Sequence, residues 1–60
     1  MDPNETLKEL RDLAQTVTMQ GGGTDEQAVR MAELVQALDS WMTTGGFSPA
    51  AWNAGARATA

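Results

Sequence analysis

The stretch TDEQAVRMAELVQALDSWMTTGG, residues 24–46, decides the fold. Thr24 followed three positions later by Gln27 has the form of a capping box, in which each side chain satisfies the other's free backbone N–H at a helix start. Ala28, Met31, Val35, Leu38 and Met42 then recur at alternating spacings of three and four, the period of a heptad seam. Leu34 and Trp41 flank that seam on one side and Ala32 on the other, so the apolar arc is about 180° wide. Glu26 and Arg30 stand four apart in the favoured order for an ion pair. Gly45 and Gly46 end the pattern, which predicts a helix over about 25–43.

Working toward the N-terminus, Gly21, Gly22 and Gly23 read as a turn, because a helix C-terminus uses the left-handed backbone that glycine adopts without strain. A phosphate-cradling loop is the alternative for a glycine run before a helix. No Gly-Lys-Ser/Thr follows, however, and Asp25 and Glu26 put carboxylates where a phosphate would sit. Further back, Asp2, Pro3 and Glu5 mark another helix start, with Asp2 at the N-cap and Pro3 in the first turn. Leu7, Leu10, Leu13, Ala14 and Val17 form a stripe about 120° wide, with Lys8, Arg11, Asp12 and Gln15 opposite. Toward the C-terminus, Ser48-Pro49 opens one or two further turns through Ala50, Ala51 and Trp52. The expectation is all-α: an antiparallel helical hairpin (about 3–19 and 25–43) with a short C-terminal helical segment (about 49–54). Residues 1–54 then form a single small domain followed by a tail at 55–60.

Composition excludes much chemistry. The 60 residues contain no His and no Cys, which removes disulfides, Cys/His metal centres and both common routes to an activated nucleophile. No cofactor and no enzymatic activity are expected. Eight Asp+Glu against four Lys+Arg give a net charge of −4, and the cations are scattered. Direct nucleic-acid binding and attachment to anionic membranes are therefore disfavoured. No apolar run is long enough to span a bilayer. The acidic opening residues do not look like a signal peptide, and an intracellular location is expected. Glu5, Glu9 and Asp12 lie within about 60° on one side of the first helix. A solvated acidic face, with Lys8 and Arg11 interspersed, is the reading preferred to a hard-cation site.

The two stripes do not match in width. A narrow Leu stripe leaves part of the broad Met/Trp face of the second helix uncovered. Phe47 and Trp52 can fold back over it, a second copy can complete a dimeric bundle, or another protein can dock there. Met31, Leu34, Leu38, Trp41, Met42, Phe47 and Trp52 are the candidate core or interface anchors. Asp39 falls inside the apolar arc, between Ala28 and Ala32, and reads as a rim residue.

The opening MDPNETLKELRDLA and the block MAELVQALDSWMTTGGFSPAAW resemble a group of short proteins encoded by bacteriophages of actinobacteria, including mycobacteriophages. The resemblance is carried by Met1 to Asn4, Ala32 to Leu34, Ala37 to Asp39, Trp41, Gly45 to Phe47 and Trp52. It departs at Gly21 to Gly23, where members of the group tend to have a longer polar loop, and past Trp52. The group brings no established activity. The resemblance implies a phage accessory protein made in the host cytoplasm, working by protein–protein interaction through self-association or binding of a host or phage protein. The alternatives are a virion or assembly component and, more remotely, an acidic decoy for a nucleic-acid-binding protein.

Overall fold

The computed structural model describes residues 1–53. It is all-helical, with α1 over Pro3–Gln20 and α2 over Asp25–Thr43 packed against each other, followed by a single helical turn over residues 50–53. Position 54 of the expected third segment, and the tail expected over 55–60, lie outside the described residues.

The ends of both helices form where capping chemistry places them. Asp2 is the N-cap of α1, its carboxylate accepting the Asn4 N–H at 2.9 Å, and Pro3 sits just inside. Thr24 and Gln27 form the reciprocal box at the start of α2, with bonds of 3.1 and 2.9 Å. Each helix stops on the same device. Gly21 and Gly45 take φ of 79° and 93°, the left-handed region that a side chain resists. The next N–H in each case turns back onto the helix, Gly22 to the Val17 carbonyl and Gly46 to the Trp41 carbonyl. The intervening turn is tied by the Gln20 amide, which donates to the Gly22 carbonyl and to Gln27 Oε1, both at 2.7 Å.

The core is thin. Leu7 of α1 and Leu34 and Leu38 of α2 are the buried hydrophobic side chains among the described residues. Leu10, Leu13, Ala14 and Val17 are half-buried along the expected α1 stripe. The seam expected on α2 is corrected: Ala28, Val35 and Met42 are exposed, and the inward line runs through Gln27, Met31, Leu34, Leu38 and Trp41. The reason is bulk. Leu34 and Leu38 take the buried places on α2, and this choice rotates α2 so that the other edge of its wide arc faces out.

The segment after α2 closes over one end of the hairpin. The Trp41 indole N–H donates to the Phe47 carbonyl at 2.9 Å, and the two rings meet edge-on with centroids 5.6 Å apart. Gly46 lies flat on the indole, where any Cβ would collide with Cε2, Nε1 and Cδ1 of Trp41. Pro49 and Pro3 are both fully buried. The Ala50 N–H, left free at the start of the last turn, is taken by the Asn4 side-chain oxygen at 2.7 Å. Asn4 thus joins the first turn of α1 to the last turn of the described chain.

Candidate protein-interaction face

The hairpin has two unlike faces. On one, Arg30 bridges the helices, its Nε and Nη2 donating to the two carboxylate oxygens of Glu9 at 2.6 and 2.9 Å. Glu33 stands on the other side of the guanidinium at 3.4 Å. The Glu26–Arg30 pair expected from sequence is replaced by this bidentate cross-helix pair, whose planar fork matches a carboxylate better than a neighbour on the same helix does. The Arg30 hydrogen bonds hold the Glu9 carboxyl below its ordinary value, outweighing the upward push of desolvation, and Arg30's charge adds to the fall. The same hydrogen bond, and then Glu9's charge, raise Arg30. Both side chains are about half exposed, so the pair fixes register more than it adds stability. Glu5, Glu9 and Asp12 border a broad polar depression of about 540 Å³ here. Among the described residues no group of three or more His, Cys, Asp or Glu is arranged to hold a metal ion.

The other face is apolar. Leu10, Val35, Leu38, Met42 and Trp52 line an open groove of about 380 Å³, and Asp39 is the one charged residue at its edge. Val35 is 52% exposed, Met42 38% and Trp52 42%, so large hydrophobic surface from α2 and the last turn converges on one place. Three segments build it: α1 supplies Leu10, α2 supplies Val35, Leu38, Asp39 and Met42, and the turn anchored by Pro49 and Asn4 supplies Trp52. The polar depression is larger, but the groove exposes more apolar surface, which gains most from leaving water.

The seven anchors expected from sequence divide between these roles. Leu34 and Leu38 are core, with Leu38 also flooring the groove. Met31 and Trp41 are half-buried. Met42 and Trp52 border the groove, while Phe47 is 63% exposed and leans on Trp41 rather than covering the open face. Sequence reasoning assigned Val35 to the core seam and gave Leu10 no role beyond the α1 stripe. The signal that pointed to a second face was the width of the α2 arc, which exceeds what one neighbouring helix covers. Asp39 is exposed at the groove rim, as expected.

Among the described residues no helix is long and apolar enough to cross a membrane. Compared with known proteins, the chain matches no family model, no curated protein and no solved structure.

Proposed function

We propose that this chain is a non-catalytic protein-interaction module, a phage-encoded accessory acting inside the host bacterium through its apolar groove. The observation that carries the reading is the convergence of exposed Val35, Met42 and Trp52 on one groove, beside a core that buries three hydrophobic side chains, Leu7, Leu34 and Leu38, among the described residues. A soluble chain of this size gains from covering such a patch, and protein surface is the usual cover. The lack of His and Cys and the open, polar character of the larger depression speak against an enclosed catalytic site. The resemblance of the MDPN opening and the AEL…ALD-W block to phage proteins supports the source.

The test is photo-crosslinking in actinobacterial cells producing the protein, with p-benzoylphenylalanine in place of Val35 and, as control, of Glu5. A discrete adduct from position 35 that disappears when Met42→Glu is added supports the reading. Equal adducts from both positions, or none from position 35, refute it.

A further inference from the structure

We infer that the occupant of the groove is a second copy of this chain, docked α2 against α2 about a two-fold axis to give a four-helix bundle. The inference rests on the reading of the groove as a protein-binding face and names what fills it.

Self-complementarity is the first support. Ala28, Val35 and Met42 are seven residues apart and all exposed, so they form one stripe along the length of α2 beside the groove. In an antiparallel pair centred on Val35, Ala28 of one copy stands opposite Met42 of the other, small against large. The groove, with Leu10, Val35, Leu38, Met42 and Trp52, lies on the Met42 half of that stripe, so this pairing sets each groove against the Ala28–Val35 half of the other copy. Each copy thus gives and receives the same contact, which is the relation an isologous interface requires.

Charge is the obstacle to test, since each chain carries −4. Four of the eight acids lie away from the stripe, however. Glu5, Glu9, Asp12 and Glu33 border the opposite depression, whereas the groove has Asp39 alone. With helix layers about 10 Å apart, this docking keeps those four acids on the outside, roughly 20 Å or more from their counterparts. That exceeds the Debye length of about 8 Å at physiological salt, so repulsion between them is largely screened. Size agrees as well. Helices of 18 and 19 residues present a face about 27 Å long and two helices wide, on the order of the ~800 Å² per partner found in stable complexes.

The experiment is sedimentation equilibrium on the full chain from about 1 to about 500 µM, a range that brackets a micromolar Kd. The mass is expected to rise from 6.4 kDa to twice that value across the series. Val35→Glu and Ala28→Glu are each expected to weaken dimerisation about a hundredfold or more while keeping helical circular dichroism. Ala28 is exposed, so its variant reports on docking even if Val35→Glu fails to fold. Glu33→Lys, on the other face, is expected to dimerise as the parent does. A parent chain that stays monomeric at the highest concentration overturns the inference, and so does a dimer that both Glu variants leave intact. If the monomer still gives the Val35 crosslink to another protein, only this inference falls; if it gives none, the proposed function falls with it.

Discussion

Gly46→Ala replaces one hydrogen with a methyl group at the point where the chain leaves α2. Gly46 does not have positive φ, so the backbone itself accepts alanine. The cost comes from the Trp41 ring, which occupies the space a Cβ needs and cannot yield as a flexible chain end would. To make room the indole must swing away, giving up its 2.9 Å bond to the Phe47 carbonyl and its edge-on contact with the Phe47 ring. Overpacking of this kind costs about 1–3 kcal/mol and the hydrogen bond about 1 kcal/mol, against a gain of about 0.5 kcal/mol from the stiffer unfolded chain. The net loss of about 2–3 kcal/mol is a large part of the roughly 3–9 kcal/mol that a 60-residue domain has. Thermal unfolding should show the midpoint falling by about 10–20 °C, with loss of the near-ultraviolet tryptophan signal. Gly23→Ala is the control: its Cβ would meet Val17 at 3.4 Å, an ordinary contact, and the midpoint should move little. A Gly46→Ala protein within about 3 °C of the parent and with an unchanged aromatic spectrum would refute the reasoning.

Three further outcomes are expected. Asn4→Ala removes the acceptor for the Ala50 N–H and should cost about 1 kcal/mol, seen as a lower unfolding midpoint and a change in the Trp52 environment. Thr24→Ala breaks the capping box of α2 and should also cost about 1 kcal/mol, read by circular dichroism during urea unfolding. For Glu9, the folded-state pKa lies below the unfolded one, so its contribution is present above the ordinary value of 4.5 and is lost as pH falls through the folded pKa. Glu9→Gln should therefore be less stable than the parent at neutral pH and low salt. The two proteins should converge as pH is lowered below 4.5, and a gap that persists in acid would count against the pair.

The helix ends were legible because capping is local chemistry. Asp2-Pro3, Thr24 with Gln27, and the glycines at 21 and 45 specify backbone conformation within a few residues, and α1 runs one residue past the expected end. Which edge of α2 turns inward was not legible. Leu34 and Leu38 compete with Val35 and Met42 across an arc of similar hydrophobicity, and the outcome depends on how side chains pack between the two helices. The partners of Asn4 and Arg30 were hidden for a related reason. Each reaches a residue far along the chain, and helical periodicity carries no information about that distance. The apolar excess on α2 did forecast a second face, although Val35 rather than Phe47 became its exposed anchor.

The Asn4–Ala50 bond also bears on how the folded chain opens. It spans 46 positions, so that almost all of the described chain lies within one loop closed at its neck. Most other fixed points, the caps and the glycine stops, bridge only a few residues and can fray one at a time. At the neck, the Asn4–Ala50 bond ties the first turn of α1 to the turn carrying Trp52, with Pro3 and Pro49 buried in the same two segments, so the two turns release together. Their amides should therefore exchange with solvent as a single cooperative unit, at a common rate, while the glycine turn at the opposite pole opens independently.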